Sequence, residues 1–89
     1  MIITLDKVKE GQKCVISKIN LTDPFKKRRF LELGLTKGTV VTVFKKQHYK
    51  NGLIIIKYFN TKLAILKKDL AQIEVEVLEQ KNENIIEKV

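Results

Sequence analysis

The chain has 89 residues, 44% of them hydrophobic and 31% charged, with four Gly and one Pro. That confines it to one small globular domain and excludes disordered, collagen-like and low-complexity classes. The formal charge of +8 is unevenly distributed: residues 1–71 hold 16 basic and 5 acidic side chains, net +11, whereas residues 72–89 hold 2 and 5, net −3. A basic body with an acidic tail attracts polyanions, whether nucleic acid, an anionic membrane surface or an acidic face of a protein. The apolar run Leu53-Ile54-Ile55-Ile56 is far short of the roughly 20 residues of a membrane helix, and the early Asp6 interrupts any basic-then-apolar leader. One cysteine, Cys14, allows no internal disulfide. A soluble protein of the reducing cytoplasm is therefore expected.

In chain order, Ile2-Ile3-Thr4-Leu5-Asp6-Lys7-Val8 reads as a brief lead-in and one turn, with Thr4 as cap and Gly11 as stop. Residues 12–21, rich in Val and Ile, form strand one. A helix follows over about 24–33, roughly 15 Å long. Asp23 supplies its N-cap acceptor, Pro24 fits the first helical position, and Gly34 suits a left-handed C-terminal cap. The β-branched run 38–46 alternates with period two and is strand two. Asn51-Gly52, able to take positive φ angles, turns it into strand three over 53–59, and the two pair antiparallel. A reversal at Asn60-Thr61 starts strand four through Leu63, Ala64, Ile65 and Leu66. One helical turn over 67–71 leads to the last strand, in which Ile73, Val75 and Val77 alternate with Gln72, Glu74 and Glu76, leaving one wet face. Five short strands and one short helix between strands one and two make an all-β domain, 1–78, of the small SH3-like barrel type, closed or nearly so. Residues 79–89 are a polar, acidic appendage in which only Ile85, Ile86 and Val89 are apolar.

Chemistry finds little support. His48 and Cys14 lie on different elements, with no local pattern that would make them a nucleophile pair. His48 has no metal-ligating partner three or four residues away, and reads as a solvated hairpin residue. Cys14 in an apolar strand reads as a small buried hydrophobe. Asp23 and Glu32 suit helix capping and a surface ion pair with Arg28 or Arg29. The glycines at 11, 34, 38 and 52 fall at turns, so no phosphate loop exists. No enzyme activity and no cofactor are expected.

The strongest feature is the basic helix. At about 100° per residue, Phe25, Leu33 and Phe30 share an arc of roughly 140° and form its core side, while Leu31 falls outside, between Lys27 and Arg28. Lys26 and Arg29 border the core arc and can bury their stems. Leu31 is thus an exposed hydrophobe in a cationic face, suited either to the barrel rim or to a partner. A second basic cluster, Lys45, Lys46 and Lys50 with His48 and Tyr49, lies at the first hairpin and suits either nucleic acid or a solvated tip.

Leu5 to Val8, Gly11-Gln12, Arg29-Phe30-Leu31-Glu32-Leu33-Gly34-Leu35 and Lys37-Gly38-Thr39-Val40-Val41-Thr42-Val43 resemble, in that order, the FeoA family of ferrous iron transport proteins. Ala64-Ile65, Lys67, Ala71 and Ile73-Glu74-Val75 look like that family's closing segment, so the resemblance spans residues 1–77. It implies an SH3-like barrel in the bacterial or archaeal cytoplasm, without enzyme activity, that serves as accessory to FeoB, the membrane ferrous iron transporter with a cytosolic G-domain. It reaches the membrane only through that partner. The related domain also ends iron-responsive repressors, which associates the family with transition metals; no metal site is carried over. The Asn-Gly hairpin and the tail beyond residue 78 depart from the family pattern. In this reading Gly34, Gly38, Asn51 and Gly52 are structural turns, and partner contacts come from Lys27, Arg28 and Leu31 with Lys26, Arg29 and Leu35 beside them. The adaptor modulates transporter assembly or nucleotide turnover. Alternatives are a basic barrel that binds nucleic acid through residues 45–50, or a metal-binding regulatory domain drawing on Cys14, His48 and carboxylates. The acidic tail could fold back over the helix or pair with a neighbour's basic face in a homo-oligomer.

Overall fold

The computed structural model describes residues 2–47 and 52–78. Strand β1 (Ile2–Thr4) leads into a 3₁₀ turn (Leu5–Lys7), and β2 (Lys13–Ile19) follows. Helix α1 (Pro24–Glu32) comes next, then β3 (Val40–Gln47), β4 (Leu53–Tyr58) and β5 (Thr61–Leu66), the single turn α2 (Lys67–Leu70) and β6 (Ile73–Val77). All six strands belong to one sheet in the order β1-β6-β2-β3-β4-β5, and every neighbouring pair is antiparallel.

Two expectations need correction here. The lead-in Ile2–Thr4 is a sixth strand, held by Ile2↔Glu76, Ile3↔Val75 and Thr4↔Glu74. The sheet does not close, because its outer strands β1 and β5 are not paired with each other. The architecture is the SH3-like one, opened into a curled sheet. β3 and β4 do pair antiparallel, with Gln47↔Leu53 the pair at their described ends. Gly52 has φ +55; Asn51, His48, Tyr49 and Lys50 lie outside the described residues, as does the segment 79–89.

Alternation along the strands sends one face inward. Cys14 and Ile16 of β2, Val41 and Val43 of β3, Ile54 and Ile56 of β4, and Ile73 and Val75 of β6 are at most 2% exposed. Leu5, Val8, Leu21, Phe30, Leu35 and Leu70 cover this layer from the turns and helices. Complete burial of one such aliphatic side chain stabilises by about 1.5–3 kcal/mol, which makes this layer the main source of stability. Two bulges adjust the register. Ser17 is the extra residue against β6, and its hydroxyl donates to the Glu74 carbonyl at 3.1 Å. Phe44 is the extra residue against β4, between Val43↔Ile56 and Lys45↔Ile55.

Candidate docking site

Helix α1 starts and stops on side-chain chemistry that the sequence announces. The Asp23 carboxylate accepts the Phe25 N–H at 2.9 Å, and Pro24, which has no N–H to satisfy, takes the first helical position. At the other end Leu33 is the cap and Gly34, with φ +85, reverses the chain. The Gly34 N–H donates to the Leu31 carbonyl at 3.0 Å and the Leu35 N–H to the Phe30 carbonyl at 2.9 Å. This nested pair is a Schellman motif, whose usual apolar contact falls here on Phe30 and Leu35, both buried.

The segment after the helix secures that end. Gly38, at φ +95, makes the turn from Thr36 to Thr39, and Thr39 Oγ1 donates to the Gly34 carbonyl at 3.0 Å. The Tyr58 hydroxyl, from β4, donates to the Leu33 carbonyl at 2.8 Å. The carbonyl of the capping Leu33 is thus satisfied from β4, and that of Gly34, just past the helix, from the turn before β3. Tyr58 and Thr39 were not singled out by the sequence, since nothing local marks them as partners of a helix terminus.

Lys26 is a tether. Its ammonium lies 2.9 Å from Oδ1 of Asp69, a residue of α2 with an 11% exposed side chain. The hydrogen bond to Asp69 is the main cause raising the Lys26 pKa above its ordinary 10.5; partial desolvation opposes it. Lys26, expected among the partner contacts, is therefore already engaged. Leu35 is not a contact either, because it is 1% exposed and belongs to the core.

Phe25 differs from expectation as well, being 83% exposed. On the wheel, Leu33, Lys26 and Phe30 stand at about 80°, 100° and 140° from Phe25. The buried Phe30 and half-buried Lys26 and Leu33 set the inward direction near 110°, which leaves Phe25 beside the core. Leu31, at about 240°, is 58% exposed between the exposed Lys27 and Arg28; Arg29 is exposed too. Asp23 serves the cap, and neither Asp23 nor Glu32 forms an ion pair with Arg28 or Arg29 among the described residues. The outward side of α1 thus presents Leu31 between Lys27 and Arg28, which have no ion-pair partner among the described residues, with the exposed Glu32 and Phe25 at its border.

The hairpin cluster is reduced to Lys45 and Lys46 among the described residues, and Lys46 is committed locally. Its ammonium donates to the Asp6 carbonyl at 3.0 Å and its backbone N–H to Glu10 Oε2 at 2.7 Å. Cys14 is fully buried, its thiol directed at the Val41 carbonyl 3.7 Å away, and burial raises its pKa to about 12. Neither a thiolate nucleophile nor a thiolate ligand forms there without opening the core. Among the described residues no three His, Cys, Asp or Glu side chains come together as a metal site. No helix among them is long and apolar enough to cross a membrane.

An open, curled antiparallel sheet with one Schellman-capped helix inserted between its second and third strands defines a small SH3-like module. The chain belongs to the FeoA family, whose domain it matches over residues 3–77. Its fold is similar to that of an iron uptake regulatory protein, FeoA, at 23% identity and a TM-score of 0.74, covering 88% of this chain and 99% of that one. A FeoA-like protein from Clostridium acetobutylicum is similar at 23% identity and TM-score 0.75, covering 89% and 90%. A manganese-dependent transcriptional repressor is similar at 17% identity and TM-score 0.78, covering 86% of this chain and 42% of that one. At these identities the likeness is one of fold. No curated protein matches the sequence.

Proposed function

We propose that this protein is a cytoplasmic accessory of ferrous iron uptake, docking through the outward side of α1 on a FeoB-type transporter and modulating its assembly or nucleotide turnover. Membership of the FeoA family implies the role in ferrous iron transport. The observation that carries the docking reading is Leu31, 58% exposed on a short helix between cations that hold no acidic partner among the described residues. An apolar residue ringed by charge is the usual make-up of an interface anchor, with the apolar group giving affinity and the charges steering approach. α1 is also immobilised at its N-cap, its C-terminal motif and Lys26, so docking incurs little ordering cost. The small, non-catalytic character of the family fits an accessory rather than an enzyme.

The test is retention of the purified protein by detergent-solubilised FeoB, with duplex DNA and single-stranded RNA in parallel at physiological salt. Selective retention by the transporter is expected. Leu31→Ala should weaken it, and Lys27→Glu with Arg28→Glu should slow association at low salt. Retention by nucleic acid alone, or charge reversal without effect, overturns the docking reading.

A further inference from the structure

The outward face of the sheet carries a second surface, made by elements other than α1. Strand register brings Lys13, Thr42, Lys57 and Lys62 into one row of directly opposed residues across β2, β3, β4 and β5. At about 4.8 Å per strand the row spans roughly 14 Å. Lys57 and Lys62 oppose each other directly, an arrangement that weakens a sheet. The Lys62 ammonium leans away to a point 4.1 Å from the centroid of the Phe44 ring. Phe44 is presented outward at the β3 bulge and is 48% exposed, and Phe59, at φ +54 in the β4–β5 turn, is 80% exposed. Together with Lys13, Lys37, Lys57 and Val40 they line an open groove of about 840 Å³. No acidic residue lines it, and none of its three lysines has an acidic partner among the described residues.

We propose that this groove binds a short acidic segment of a partner protein in extended conformation. An extended peptide presents every second side chain on the same side, about 6.8 Å apart. Carboxylates at alternate positions therefore fall within reach of the lysine row, while an apolar side chain among them covers Phe44 and Phe59. The cations balance the charge, and the aromatic rings supply the apolar contact that charge pairs alone would not. A single-stranded nucleic acid fits less well, because successive bases stack on successive aromatic faces, and with Lys62 over Phe44 the exposed Phe59 is left as the freer ring. This surface is separate from the helix face and stands whether or not α1 docks on a transporter.

The full chain, isotopically labelled for amide NMR, is titrated with a fluorescent peptide carrying glutamates at alternate positions around one phenylalanine. Three further probes are the same peptide with lysine for each glutamate, a peptide of residues 79–89, and a thymidine oligonucleotide. Saturable binding of the glutamate peptide is expected, with amide shifts gathered on Lys13, Thr42, Lys57 and Phe59. Lys57→Ala with Lys62→Ala should weaken it by about tenfold, and Leu31→Ala should leave it unchanged. Phe44→Ala tests the apolar contact; Lys57→Glu, at an exposed position that poses no risk to folding, should abolish binding by charge alone. Equal binding of the lysine peptide, or shifts gathered on α1, overturns the proposal. Tighter binding of the oligonucleotide reassigns the groove to nucleic acid, and tighter binding of the 79–89 peptide reassigns it to the chain's own tail; both overturn it as well.

Discussion

Gly34 sits at φ +85 with nothing within 4 Å of the point where a Cβ would stand. The requirement for glycine there is one of backbone conformation rather than space. Gly34→Ala is accordingly expected to lower stability by about 1 kcal/mol in urea unfolding while leaving the circular dichroism spectrum intact. Cys14 and Lys26 make stability depend on pH at the alkaline end. The buried Cys14 thiol keeps its proton up to about 12, whereas in the unfolded chain it loses it near 9.0. Its contribution is complete below pH 9 and declines as pH rises above that value. Lys26, raised above 10.5 by Asp69, contributes below 10.5 and loses that contribution as pH climbs through its folded value. Urea midpoints measured from pH 8 upward should decline from about pH 9, with Cys14→Ala flattening the decline from its onset and Lys26→Met only the part above 10.5; a decline untouched by either variant would contradict both assignments.

α1 is held at its C-terminal end by a residue 25 positions further along the chain, at the end of β4. Tyr58→Phe deletes only the hydroxyl that donates to the Leu33 carbonyl, at a site 5% exposed. A loss of about 1 kcal/mol is expected, and under the proposed docking through α1, freeing that end of the helix should also weaken retention by FeoB. The helix itself was legible in the sequence because Asp23, Pro24 and Gly34 are local signals, and each does in the structure what its chemistry suggests. Leu31 was legible for the same reason, since angular position depends only on neighbours three and four residues away. Phe25 was misread because an arc drawn around three apolar residues does not say which of them sits at its centre; Lys26 does, tied to Asp69 from another element. β1 escaped notice because three residues show no period, and its pairing with β6 is visible only in space. The lysine row is the extreme case: its members lie on three separate strands in addition to Thr42 on a fourth, and register alone aligns them.

At the scale of the whole molecule the open sheet leaves two edges, β1 and β5. β5 is the longer at six residues, with Thr61, Lys62 and Ala64 exposed along it. A lysine within an edge strand hinders another chain from adding to it, since pairing would bury or crowd the charge. Lys62→Val should therefore increase concentration-dependent self-association in sedimentation velocity relative to the parent chain, whereas an unchanged distribution would show that the edge is guarded by something other than Lys62. Closure was expected of the sheet because short strands at close spacing commonly form barrels; whether the last edges meet depends on two strands far apart in sequence, for which no local signal exists.

The position of β6 has a consequence for how the protein is made. It is the last strand of the sheet to be synthesised, yet it lies between β1 and β2, pairing Ile2 with Glu76 and Ile16 with Val75. During translation the first strand has no neighbour and the inner edge of the second stays open until residues 73–77 emerge from the ribosome. Completion of the sheet thus waits for the final strand, which inserts between two made long before it, and a nascent chain halted before residue 73 should remain sensitive to protease along its whole length.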